Sequence, residues 1–255
     1  MTLFRPCIDL HEGRVKQIVG GTLGDAGGPR ENFVAAQGPA HFAELYRRDG
    51  LRGGHLIKLG PGNDAAAREA LAAWPGGLQL GGGVDLDNAV AWLEDGADKV
   101  IVTSWLFPDG AYAPERLAAL ERRVGRERLV VDLSCRRVGD GWRVATNGWR
   151  TITAFALGPA EVGAVAAHCA ELLVHAADVE GLGRGIDAEL AEALGRWSPV
   201  PCTYAGGANS LDDIALVERL SGGRLDLTYG SALDIFGGRP VAYADLVAWN
   251  RARAG

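Results

Sequence analysis

The chain says nearly the same thing twice. Leu78-Gln-Leu-Gly-Gly-Gly-Val-Asp-Leu-Asp-Asn88 is followed by Lys99-Val-Ile-Val-Thr-Ser-Trp-Leu-Phe107. Half a chain later, Cys202-Thr-Tyr-Ala-Gly-Gly-Ala-Asn-Ser-Leu-Asp-Asp213 is followed by Asp226-Leu-Thr-Tyr-Gly-Ser-Ala-Leu-Asp-Ile-Phe236. Each copy is a short apolar run ending in glycines, then an amphipathic helix, then an apolar run ending in a small hydroxyl residue. A glycine-rich turn between strand and helix leaves backbone N–H groups free to hold a phosphate. Two such cradles, one per half, predict a small ligand with a phosphate at each end. The cradle residues are Gly82 and Gly83 with Thr103 and Ser104, and Gly206 and Gly207 with Gly230 and Ser231.

The repeat sits in a longer alternation. Strands are predicted at Phe4–Asp9, His55–Leu59, Leu78–Leu80, Lys99–Thr103, Leu129–Leu133, Leu172–Ala176, Cys202–Tyr204 and Leu225–Tyr229. Helical stretches follow near 39–49, 64–73, 86–96, 114–124, 159–169, 187–197, 210–220 and 240–253. Pro114 and Pro159 suit a first helical turn, and Ser210-Leu-Asp-Asp213 reads as a capping box. Strand–helix alternation implies a parallel sheet. Eight units in 255 residues imply an α/β fold of the (β/α)8 TIM-barrel type, with a twofold half-barrel repeat and one domain over 1–255. The 37 glycines, about twice the roughly 7 % of ordinary proteins, fit many tight strand-to-helix turns. Two connections are longer than the fold needs: 10–38, with Gly20-Gly21 and Gly24–Pro29, and 136–156, with Trp142 and Trp149. Both follow strands and read as structureless loops over the catalytic face.

A net charge of −6 argues against nucleic acid or an anionic membrane as partner. Cys7, Cys135, Cys169 and Cys202 show no C-x-x-C pair and read as buried apolar residues. Met1-Thr-Leu-Phe-Arg-Pro runs directly into a strand, with no signal peptide, and no run approaches the roughly 18 apolar residues of a membrane span. A cytoplasmic, monomeric, reduced protein is expected.

Barrel chemistry sits at the C-terminal ends of strands. Asp9 closes the first strand. In Val130-Val-Asp-Leu-Ser134, alternation puts Asp132 and Ser134 on one face, the interior, where a carboxylate is costly without a partner. Asp132 is therefore either paired or at the cavity. The sixth strand runs into His175-Ala-Ala-Asp178-Val-Glu180-Gly181, with His175 read as a rim residue. Either carboxylate could face Asp9 across a ligand as an acid–base pair. Lys58 is a candidate cation at the same face, and Trp142 or Trp149 either stacks on a planar ligand or pins the loop.

Taken together, Cys-Ile-Asp-Leu-His-Glu-Gly-Arg-Val-Lys-Gln, Leu-Gly-Gly-Gly-Val, Val-Ile-Val-Thr-Ser-Trp-Leu-Phe, Val-Val-Asp-Leu-Ser-Cys-Arg, His-Ala-Ala-Asp-Val-Glu-Gly-Leu and Tyr-Ala-Gly-Gly-Ala resemble one enzyme family over essentially the whole chain. It is phosphoribosylformimino-5-aminoimidazole carboxamide ribotide isomerase of histidine biosynthesis, in its eukaryote-type branch. The resemblance implies an Amadori rearrangement without metal or other cofactor, turning an aminoaldose bisphosphate into an aminoketose. It implies Asp9 as general base. The family's strand-five pattern Gly-x-Asp-x-Arg reads Asp132-Leu-Ser134-Cys-Arg136 here, so Ser134 stands where the aspartate does and Asp132 is the carboxylate expected to act. The strand-six loop departs as well, leaving the acid between Asp178, the first choice, and Glu180. Competing readings are the cyclase of the same pathway, which needs a glutaminase partner, a related isomerase of tryptophan biosynthesis, and a non-catalytic phosphosugar-binding barrel.

Overall fold

Pro6 splits the first strand of the computed structural model, which describes residues 1–19, 22 and 30–253. β1 (Phe4–Arg5) runs parallel to β14 (Leu225–Thr228), and β2 (Cys7–His11) runs parallel to β5 (Gly54–Lys58). Proline has no N–H for a ladder, but its carbonyl accepts the His55 N–H at 3.0 Å. This one stretch joins the last strand to the second and shuts the sheet into a ring. Between them lie β6 (Leu78–Gly81), β7 (Lys99–Val102), β8 (Leu129–Asp132), β12 (Glu171–His175) and β13 (Cys202–Ala205), all parallel to their neighbours. The ring is the (β/α)8 barrel that the alternation implies.

Eight α-helices occur among the described residues: α1 (Pro39–Arg48), α2 (Asp64–Ala73), α3 (Ala89–Glu94), α4 (Pro114–Val124), α5 (Pro159–Ala166), α6 (Ala188–Trp197), α7 (Asp212–Ser221) and α8 (Tyr243–Arg251). Proline opens α4 and α5, where its missing N–H costs nothing. α6 starts at Asp187, whose side chain accepts the Leu190 N–H at 3.0 Å. The capping box expected at 210–213 is half made. Asp213 reaches back to the Asn209 and Ser210 N–H groups at 2.8 and 2.9 Å, while α7 has no side-chain cap from the serine. Each helix turns its apolar stripe to the barrel, as α6 does with Leu190, Ala191 and Leu194. All four cysteines are buried free thiols.

The two long connections are built β-structure. After β2, Glu12 and Gly13 both take positive φ, +53° and +74°, the two-residue turn that matches strand twist. β3 (Arg14–Ile18) returns antiparallel to β2, and β4 (Glu31–Val34) pairs with β3. Gly20, Gly21 and the run Gly24–Pro29 lie outside the described residues. After β8, the expected loop 136–156 is a three-stranded antiparallel sheet of β9 (Cys135–Val138), β10 (Gly141–Thr146) and β11 (Thr151–Leu157). The Gly139-Asp140 turn between paired Val138 and Gly141 was its signal in the sequence.

The two copies of the repeat match at their first glycine. Gly82 and Gly206 take positive φ, +90° and +116°, and each presses its Cα against the neighbouring strand end, the Lys58 and Ala176 carbonyls respectively. A Cβ fits at neither. Inside the ring, Ile57, Ile101, Val130, Leu173 and Ala205 form a thin apolar belt between polar layers at the two ends.

Candidate active site

The strands deliver polar side chains to the C-terminal mouth. β2 brings Asp9, β3 brings Gln17, the β8 end brings Asp132 and Ser134, and β12 brings His175 with Glu180 in the loop beyond. Two cavities of about 370 and 400 Å³ open there. Gly82, Gly83, Thr103 and Ser104 line the first; Gly206, Gly207, Gly230 and Ser231 line the second. Asp9, Gln17, His175 and Glu180 line both, so the cavities are two lobes meeting at a titratable waist. None of the N–H groups of Gly82, Gly83, Gly206 and Gly207 donates to another described group. Each lobe thus ends in backbone donors that suit an oxyanion.

The charges at the waist hold one another off their ordinary values. Burial pushes the Asp9 carboxyl up to about 7, Glu180 adds repulsion, and His175 and the Gln17 amide, 3.0 Å from Oδ2, pull back. Burial likewise raises Glu180, with His175 opposing. For His175, burial alone would lower the value. Asp132, with Oδ1 3.5 Å from Nδ1, then Glu180 and Asp9 outweigh it and bring the imidazole up to about 9. His55, one layer below with its ring 5.7 Å from that of His175, is driven down to about 3 by burial and then by His175, so it stays neutral. The site therefore holds a carboxyl that ionises near neutrality, a second raised carboxyl, and an imidazole raised to about 9 that opposes the rise of both.

Asp132 is buried, with Ser134 Oγ 2.9 and 3.1 Å from its two oxygens, so the predicted interior face is observed. Asp178 is displaced from its expected place: it lines neither lobe, accepts the Arg136 Nε–H at 2.8 Å and the Arg137 N–H at 2.7 Å, and is exposed. The turn between residues 176 and 181 aims Glu180 inward and Asp178 at β9, a choice that two carboxylates one residue apart do not reveal in a sequence. Lys58 is also not a free cation, since its Nζ bonds Asp64 at 2.8 Å and lies 4.0 Å from the Trp92 ring centre. The two tryptophans divide the alternatives. Trp142 pins the sheet, donating to Asp187 at 3.0 Å under the Arg137 guanidinium. Trp149 lines the first lobe, its ring 5.9 Å from His175. Gln17 was missed; its signal was the period-2 Arg14-Val-Lys-Gln17 after a Glu-Gly turn.

His11, Glu12 and Glu31 are the one group of metal-type ligands among the described residues. The Lys16 ammonium already occupies its centre, 2.7 Å from Glu12 and 2.6 Å from Glu31, and the group faces neither lobe. Among the described residues no helix is long and apolar enough to cross a membrane.

The family model described as "Histidine biosynthesis protein" matches residues 4–237. The chain belongs to that family. Within the histidine biosynthesis family, a Neurospora crassa relative is 54% identical over 255 residues, covering 98% of this chain and 99% of its own length. One from Yarrowia lipolytica is 54% identical over 259 residues, covering 98% of each chain. One from Saccharomyces cerevisiae is 49% identical over 258 residues, again covering 98% of each. All three are named 1-(5-phosphoribosyl)-5-((5-phosphoribosylamino)methylideneamino) imidazole-4-carboxamide isomerase.

Proposed function

We propose that this chain catalyses the isomerisation for which these histidine biosynthesis relatives are named, converting the N′-phosphoribosylformimino aminoaldose to the aminoketose. The observation that carries the reading is the pair of backbone cradles at the far ends of two lobes that share one acid–base waist. The substrate in the relatives' names bears two phosphoribosyl groups, hence two phosphates. The cyclase and the non-catalytic barrel have no observation in their favour. The proposed working unit is a cytoplasmic monomer with the whole of 1–255 acting as one domain.

In this mechanism Glu180 enters in its protonated form, the direction in which burial shifts its carboxyl, and gives its proton to the ring oxygen of the aminoribose. The C1′–O bond breaks and a protonated Schiff base forms. The iminium withdraws electrons from C2′, and ionised Asp9 removes the C2′ proton to give the enolamine. Asp9 returns that proton to C1′, while the 2′-hydroxyl proton passes to Glu180 as the carbonyl forms. Both carboxyls end as they began. Geometry supports Glu180 over Asp178 as the acid, because the Asp178 carboxylate is engaged by Arg136 and Arg137. Asp132 supplies the strand-five carboxylate. Gly82, Gly83, Thr103 and Ser104 hold one phosphate; Gly206, Gly207, Gly230 and Ser231 hold the other.

The test is turnover of the purified chain with the aminoaldose, followed by product identification. Formation of the aminoketose supports the reading. Binding with no conversion overturns it in favour of a phosphosugar-binding barrel.

A further inference from the structure

The geometry points to His175 as the group that meets the substrate from the strand-five side of the waist, with Asp132 a positioning residue that acts only through it. This deepens the isomerase reading and rests on it.

Asp132 is badly placed to touch a ligand itself. It is 7 % exposed, and the Ser134 hydroxyl covers both of its oxygens. Ser134 is the next inward position up the strand, so it stands between the carboxylate and the mouth. The register pairs Asp132 with Leu173, which puts His175 a full pleat higher, at the level of Ser134. Asp132 lines only the first lobe, whereas His175 lines both.

His175 has the opposite character. Its Nδ1 is buried without a hydrogen-bond partner, since Asp132 at 3.5 Å is beyond good bonding distance. Nε2 has no partner among the described residues either. A buried ring nitrogen left unbonded is costly, and Nε2, free of partners among the described residues, is left to donate to a ligand oxygen. Charged and titratable groups face it from every side: Asp132 from β8, Glu180 from its own loop, Asp9 from β2 and His55 from β5. Trp149 covers it from the β10–β11 turn. That turn holds Asn147, Gly148 and Trp149 in succession at φ +54°, +64° and +65°. Left-handed backbone at an asparagine and a tryptophan is strained, and such strain persists where the surrounding structure fixes a side chain over a site.

The task that fits is a hydrogen bond, without proton transfer, from the Asp132-paired imidazolium to the sugar oxygen on C2′. As the C2′ hydroxyl gives its proton to Glu180 ahead of proton delivery to C1′, a fixed cationic donor stabilises the negative charge that gathers on that oxygen. Asp132 keeps the imidazole charged and oriented.

Four chains decide it: wild type, His175→Gln, Asp132→Asn and the double variant, each with kcat, KM and melting temperature across pH 6–10. Wild-type kcat should fall on the alkaline side as His175 loses its proton. His175→Gln, still a donor but never charged, should lose on the order of 10²-fold in kcat with KM little changed, and its alkaline limb should vanish. Asp132→Asn should move that limb toward the ordinary histidine range, and the double variant should be no slower than His175→Gln alone. If His175→Gln fails to fold, His175→Asn takes its place. Losses that multiply in the double variant overturn the inference, because Asp132 then acts by itself. So does a His175→Gln chain with wild-type kcat and pH profile. A wild-type chain that does not isomerise the aminoaldose sinks the isomerase reading and this inference with it; wild-type turnover with an indifferent His175 sinks this inference alone.

Discussion

The two ends of the barrel treat their charges in opposite ways. At the N-terminal end, Arg5 donates to Asp226 at 2.7 Å, and Gln79 and Thr203 donate to Glu171 at 2.7 and 3.2 Å. Lys99 reaches Asp98 at 3.0 Å and lies 4.0 Å from Glu171. Each carboxylate there has a donor within bonding distance. At the C-terminal end, Asp9 accepts from the Gln17 amide, His175 Nδ1 has only the long 3.5 Å contact to Asp132, and Asp9 and Glu180 repel each other. The apolar belt between the layers keeps the two sets apart. A polar layer that is fully paired contributes rigidity; one left short of partners is stabilised by whatever ligand completes it. The C-terminal end is where chemistry resides in this fold, and the unfinished pairing there gives that placement a physical basis.

The largest contrast should come from Asp9→Asn. It removes the proposed base and keeps the shape, so kcat should drop about 10²–10⁴-fold while the fold persists. A variant with near-normal kcat would break the comparison at its centre. The melting temperature carries a second sign. A carboxyl raised to about 7 contributes stability that is present below its unfolded value, about 3.9, and lost as pH rises through 7. Asp9→Asn should therefore raise the melting temperature above pH 7, with the gain fading toward pH 4. His175 runs on the other limb: its contribution is present below about 6.5 and lost as pH rises through about 9.

Glu180→Gln against Asp178→Asn sharpens the same point within one loop. The first should cost about 10²-fold or more in kcat. The second should leave kcat largely intact and act through a loosened β9–β11 sheet, seen as a raised KM. Equal losses in kcat would return Asp178 to the acid's role.

At the opposite end, Glu171→Ala should leave kcat alone and cost roughly 1–3 kcal/mol for each donor it orphans. Calorimetry should show a melting temperature lowered by about 2–4 °C per kcal/mol. A rate loss in a stably folded variant would show that the two layers communicate through the belt.

The smallest effect belongs to Gly83→Ala. A Cβ there meets no atom within 4 Å, but φ is +72°. The strain should cost about 1 kcal/mol and raise KM more than it lowers kcat, as expected of a group that only binds. A kcat loss at constant KM would move phosphate grip into the transition state.

Period and punctuation determined much of this molecule from the sequence. Eight apolar runs alternating with helical stretches fixed the barrel, because parallel strands need crossovers and this chain supplies one after each strand. Gly82 and Gly206 announced the two cradles, since the turn requires a backbone that other residues avoid. The inward face of Asp132 followed from strict alternation. The tertiary structure decided everything that depends on where a loop side chain turns. Asp178 and Glu180 are two residues apart on one irregular turn, with no period to assign faces, and only the arrival of Arg136 on β9 draws one of them away. Lys58 reads as a free cation until α2 brings Asp64 beside it. His175 reads as a rim residue until three carboxylates from β2, β8 and its own loop converge on it. Local pattern is written in neighbouring residues, whereas a charge takes its properties from groups far away in the chain, and folding alone brings those together.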